Sequence, residues 1–152
     1  MRQPRVTALE AHVGYWLRFV SNHVSHAFGR KVEACGVTVA EWVVLRELFD
    51  RDGIAPSELA ERLGMTRGAI SKLIDRLVRK GLVCKSTGEE DRRYQSVALT
   101  KDGQNLVPKL AALADQNDEE FFGDLGAAER ETLMKLMEHI VLMRGLKEVP
   151  TD

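Results

Sequence analysis

The chain has 152 residues, 44% apolar and 30% charged, with a formal net charge of −1: enough for one sizeable core, too few for two ordinary catalytic domains. Its two cysteines, Cys35 and Cys84, have neither paired metal-ligand spacing nor the density of a disulfide scaffold, which points to a reducing, cytoplasmic compartment. The near-neutral total excludes a general nucleic-acid coat, but residues 62–93 hold nine basic against four acidic residues, a local +5, and residues 101–152 hold six against eleven, a local −5.

Arg2, Arg5, Glu10 and Arg18 interrupt the start of the chain, so neither a secretory signal nor a membrane span is expected there or elsewhere. From Ala8 to about Val32, Leu9, Val13, Trp16, Val20, Val24 and Ala27 recur at helical spacing, with Phe19, His23, His26 and Phe28 beside them. This predicts a long helix with two buried faces. Thr38-Val39-Ala40-Glu41 has the capping-box pattern and opens a helix carrying Trp42, Val43, Leu45, Leu48 and Phe49, closed by Asp52-Gly53. Pro56 suits the first turn of a short helix, and Gly64 can stop it in the left-handed conformation.

Thr66 can cap the next helix. Ile70, Leu73, Ile74 and Leu77 form its apolar stripe, with Arg67, Ser71, Lys72, Asp75 and Arg76 opposite and Gly81 closing it. Leu82 to Ser86 and Tyr94 to Thr100 read as the strands of a hairpin joined by a charged turn ending in Asp91-Arg92-Arg93. A second long helix is predicted from after Thr100 to about Phe122, bent if Pro108 lies inside it. A last helix follows Gly126, with Leu133, Leu136, Met137, Ile140, Val141 and Met143 on a broad apolar face. The predicted fold is therefore mainly α with a small β-hairpin wing: a winged helix-turn-helix over residues 35–100, flanked by long helical regions over 1–34 and 101–152.

Two short helices joined at Gly64, the second with a polar face at its start, form the helix-turn-helix pattern, and the charged hairpin behind them makes a winged helix. Leu59-Ala60 with Leu63-Gly64, then Ser71, Asp91-Arg92-Arg93, Val97, Leu99-Thr100 and Gly103, resemble the MarR family of bacterial transcription regulators, over roughly residues 30–146. The resemblance implies a homodimer, paired through the first helix and the last two helices, on a pseudo-palindromic operator. Its half-sites would then lie about 10 base pairs apart.

On chemical grounds Arg67, Ser71 and Lys72, in the first turns of the recognition helix with Thr66 and Gly68, are the candidates for reading bases, since arginine can grip guanine with two hydrogen bonds. Arg76, one turn on, is assigned to a phosphate, as are Thr38 and Ser57 with the amides at their helix starts. In the wing, Arg93 is assigned to the minor groove, Asp91 to orienting it and Arg92 to phosphate, the two arginines being interchangeable on present grounds.

The family commonly releases DNA on binding a small, often aromatic molecule. Trp16, Phe19, His23 and Trp42 are the candidates for lining such a cleft, against the simpler reading of an aromatic stripe as core. Cys35 is the candidate redox residue, and Cys84 is expected to pack inside. His23 and His26 with Cys35 or Glu41 form a weaker zinc grouping, and neither a metal nor a cofactor is expected. No phosphate-binding glycine loop, metal helix or activated nucleophile supports an enzyme. A winged helix that binds only protein would want apolar residues on the outer face of its second helix, where this chain has Arg67, Ser71 and Lys72. The sequence thus reads as a sequence-specific regulator of transcription that binds double-stranded DNA, and not as an enzyme. The resemblance implies release by an effector, and repression is the expected direction where the site overlaps a promoter, activation where binding displaces another protein.

Overall fold

The computed structural model describes residues 3–87 and 95–151. A 3-10 turn over Leu9–Ala11 precedes α1 (Val13–Glu33), followed by α2 (Val39–Phe49), α3 (Pro56–Leu63), α4 (Arg67–Arg79), strands β1 (Val83–Thr87) and β2 (Gln95–Leu99), α5 (Lys101–Phe122) and α6 (Ala127–Arg144). The expected order is observed, with small shifts at the ends. The helix α2 stops at Phe49, before Asp52-Gly53, and Thr100 leaves β2 to cap α5. Asp91, Arg92 and Arg93, the predicted wing tip, lie outside the described residues.

Local chemistry starts and stops these elements. The Thr38, Thr66 and Thr100 hydroxyls each accept from the amide three residues on, at 3.1, 3.1 and 3.2 Å, in place of a missing intrahelical carbonyl. Pro56 occupies the first turn of α3, and Gly64 ends it at φ 63°. Pro108 lies inside α5 and deprives one carbonyl of its amide partner.

The core is a single cluster under the two short helices. Leu59, Ala60 and Leu63 of α3 meet Ile70, Leu73, Ile74 and Leu77 of α4, with Val44, Leu45 and Leu48 of α2, Val83, Val97 and Leu99 of the hairpin, and Val107 and Leu110 of α5. The antiparallel register pairs Val83 with Leu99 and Thr87 with Gln95. Because side chains alternate across a strand, Val83 faces the core and Cys84 faces solvent. Cys84 is therefore exposed and not packed inside as the sequence suggested. Ile54 adds an unanticipated bridge to Val97, with amide-carbonyl distances of 3.1 and 2.9 Å, and ties the α2–α3 link to the hairpin.

The long helices are less covered than expected. Only Ala27 and Val32 are buried on α1 and nothing on α6, so the two buried faces predicted for α1 do not both exist within one chain. Among the described residues, no helix is long and apolar enough to cross a membrane.

Where α5 leaves the hairpin, the Thr100 hydroxyl also donates to the Gly81 carbonyl at 2.7 Å, and the Thr100 amide to the Leu82 carbonyl at 3.0 Å. This brings Gly103 so near the Leu82 carbonyl that a Cβ would collide with backbone. Gly103→Ala is expected to destabilise the chain by about 1–3 kcal/mol, read as a lower urea midpoint at unchanged slope.

Candidate nucleic-acid interface

The helix α4 is amphipathic by construction: its apolar stripe is buried, and Thr66, Arg67, Gly68, Ser71 and Lys72 are exposed together over its first two turns. The structure thus brings the base-reading candidates onto one accessible face. The tight turn at Gly64, with the Met65 amide bonded to the Ala60 carbonyl at 2.9 Å, sets that face away from the core. Ser57 and Thr38 are exposed at the starts of α3 and α2.

Arg76 has a partner the sequence did not suggest. Its guanidinium Nη2 donates to Glu41 Oε1 at 3.0 Å and to the Thr38 hydroxyl at 3.3 Å. Lys80 Nζ donates to Glu41 Oε2 at 2.7 Å and to the Gly36 carbonyl at 2.8 Å. Glu41 is only 1% exposed. Its carboxylate does not close the predicted capping box on the Thr38 amide. It accepts instead from the Thr38 hydroxyl at 3.2 Å and from the two cations of α4. A buried carboxylate without such partners would be strongly destabilising.

Next to Arg76 on α4, Asp75 pairs with Lys85 of β1 at 2.6 Å, joining recognition helix to wing strand. The Lys85 hydrogen bond and charge hold the Asp75 carboxyl below its ordinary range.

The predicted cleft residues divide. Trp16, Phe19 and His23 lie exposed along α1, where Phe19 and His23 stack at 5.1 Å and Trp16 Nε1 donates to the Glu10 carbonyl at 2.8 Å. Trp42 is half-buried, edge-on to Phe28, and lines a cavity of about 280 Å³ among α1, α2 and α5. Trp16, Phe19 and His23 do not line that cavity. Sequence reasoning missed Asn117 and Val149, which do. Asn117 is buried, accepting from Lys31 at 2.9 Å and donating to the Val24 carbonyl at 3.2 Å. The Val149 amide donates to the Leu63 carbonyl at 3.3 Å. Asparagine in a run of acidic residues and valine in a polar tail gave no periodic signal. Cys35 is exposed in the α1–α2 loop, and among the described residues no three His, Cys, Asp or Glu side chains gather as a metal site.

An exposed polar recognition helix, a capped helix-turn-helix and a hairpin behind it define the class: a winged helix-turn-helix DNA-binding protein. Residues 37–94 match the model of the MarR family. The chain is 30% identical to the transcriptional regulator HosA of Escherichia coli over 105 residues, 69% of this chain and 78% of that protein. Its fold is similar to that of BpsR from Bordetella bronchiseptica, whose DNA binding is regulated by 6-hydroxynicotinic acid, with TM-score 0.77 and 26% identity over 90% of this chain and 97% of that one. It is likewise similar to a MarR variant from Escherichia coli complexed with operator DNA, with TM-score 0.76 and 26% identity over 85% and 93% of the respective chains. The chain belongs to the MarR family and is a DNA-binding transcriptional regulator.

Burial raises the Glu41 pKa, but hydrogen bonds from Lys80 and Arg76 and the charge of Lys80 outweigh it, so the carboxyl titrates below its ordinary range. Its stabilising contribution is therefore complete above the unfolded value of about 4.3 and is lost as pH falls through the lower folded value. The urea midpoint of the wild-type chain is expected to fall more steeply below about pH 4.3 than that of Glu41→Gln. Parallel curves for the two would contradict this account of Glu41.

Proposed function

We propose that this regulator is a cytoplasmic, homodimeric repressor that reads a pseudo-palindromic operator and releases it when a small aromatic molecule binds. The observation that carries the reading is the exposed polar start of α4, with Arg67, Ser71 and Lys72 on one face and the apolar stripe buried behind them. Arg67 is suited to a guanine edge, Ser71 and Lys72 to neighbouring bases, and the Thr38 and Ser57 helix starts to phosphates. The wing residues Asp91, Arg92 and Arg93 keep the roles their chemistry suggests, with an arginine in the minor groove.

Exposed apolar side chains support the dimer. On α1 these are Val13, Trp16, Leu17, Phe19 and Val20, and on α6 Met134, Leu136, Met137, Ile140, Val141, Leu142 and Met143, a surface one chain leaves in water. In this reading residues 1–34 and 101–152 pair with a second copy, and residues 35–100 meet DNA. Trp16, Phe19 and His23 then face the partner, while Trp42 remains at the cavity. That cavity, walled by Trp42, Phe28 and Val24 with Asn117 as a polar group, suits a small planar molecule. The regulation of BpsR by 6-hydroxynicotinic acid is consistent with such an effector.

Selection of sites from random duplex DNA is expected to return a pseudo-palindrome, and Arg67→Ala to cost about 1–3 kcal/mol on the winner while relaxing preference at one base pair of each half-site. Arg93→Ala should weaken the winner as well. Equal binding of winner and scrambled duplex by the wild-type chain would overturn operator reading. Sedimentation at micromolar concentration is expected to give a dimer, and a monomer there would overturn pairing through residues 1–34 and 101–152.

A further inference from the structure

Lys72, Arg76 and Lys80 follow one another at i, i+4 spacing, so they form one row of cations along α4 and its C-cap. The row is divided by partner. Lys72 is exposed beside Arg67 and Ser71, and among the described residues it has no ion pair. Arg76 and Lys80 both turn onto Glu41, at 3.0 and 2.7 Å, although their side chains remain 43% and 38% exposed.

Two surface cations next to a DNA-reading face would ordinarily be phosphate contacts, indifferent to sequence and costly to discrimination. Here each has an internal acceptor. Glu41 Oε1 takes Arg76, and Oε1 and Oε2 both take Lys80. Lys80 is further held by the Gly36 carbonyl at 2.8 Å, and Arg76 by the Thr38 hydroxyl at 3.3 Å. Thr38 is the N-cap of α2 and Glu41 lies in its first turn, so the contacts span α2 and α4.

We propose that Glu41 is a positioning residue for DNA binding. It holds Arg76 and Lys80 against α2, which sets the angle of the recognition helix and withholds two cations from phosphate. Sequence-independent affinity is thereby kept low, and discrimination rests on Arg67, Ser71 and Lys72. This rests on the DNA-reading function proposed above.

The physical signature is the salt dependence of binding, because each phosphate neutralised by a cation contributes a slope of about −0.9 in log K against log salt. Glu41→Gln removes one negative charge and loosens both cations with little change of shape. On a scrambled duplex it is expected to bind several-fold more tightly at low salt, with a slope steeper by about 1 to 2. The ratio of affinities for selected and scrambled duplex is expected to fall by about tenfold, the signature of added phosphate contacts without added base contacts. Far-ultraviolet circular dichroism at the assay temperature verifies that the variant is folded.

Arg76→Gln and Lys80→Gln, made singly so that Glu41 keeps one cation, provide a second arm that does not depend on Glu41→Gln folding. Each is expected to leave the slope unchanged, whereas Lys72→Gln lowers its magnitude by about 1. A Glu41→Gln variant with wild-type slope and ratio overturns the proposal, as does a fall of about 1 in slope for Arg76→Gln or Lys80→Gln. A wild-type chain that does not distinguish the selected from the scrambled duplex overturns the operator reading instead, and the slopes on the scrambled duplex still decide the role of Glu41.

Discussion

The recognition helix can present a polar face only because the rest of it is held, and that constraint organises the structure. Ile70, Leu73, Ile74 and Leu77 commit one side of α4 to the core. Arg76 and Lys80 commit its C-terminal turns to the buried carboxylate of Glu41, and Asp75 commits another side to Lys85 on the wing strand. The apolar contacts supply most of the free energy, being the larger area removed from water. The charged contacts add direction, since a buried carboxylate must keep its donors or lose more than the pair contributes. What remains uncommitted is the first two turns, with Arg67, Ser71 and Lys72.

The hairpin follows from the same arrangement. Val83, Val97 and Leu99 face inward against α4 and α2, and Thr100 turns the chain from strand to helix with its hydroxyl bonded to Gly81. Gly103 then lies against the Leu82 carbonyl, where no side chain fits. The strand, the cap and the close approach at the start of α5 therefore form one unit, and the wing is anchored at its base.

At the other end of the molecule the balance is reversed. The long helices α1 and α5 are joined by a polar contact, Lys31 and the Val24 carbonyl meeting on Asn117, with Glu120 receiving Lys31 at 2.7 Å. Much apolar surface on α1 and α6 stays in water. The cavity beside Trp42 lies between these helices and the core under the winged helix, and Val149 touches both the cavity and the end of α3 at Leu63.

The order of elements and the apolar stripes were legible in the amino-acid sequence because they depend on interactions within a few residues: hydroxyl caps at Thr38, Thr66 and Thr100, proline at 56, the left-handed glycine at 64, and helical spacing in α4. The polar face of α4 was legible for the same reason, as the side opposite the stripe. Local pattern could not say which face of β1 Cys84 occupies, since that depends on which neighbour the strand packs against. Nor could it say that Ile54 would bridge Val97, or that Asn117 would hold α1 to α5. Above all, the sequence marked Arg76 as a cation on an exposed face and Glu41 as a capping residue, each sound within its own helix. Only the tertiary structure, by packing α2 across α4, brought them to 3.0 Å with Lys80 alongside. A charge acquires its partner from geometry, and this geometry is set by residues distant in the chain.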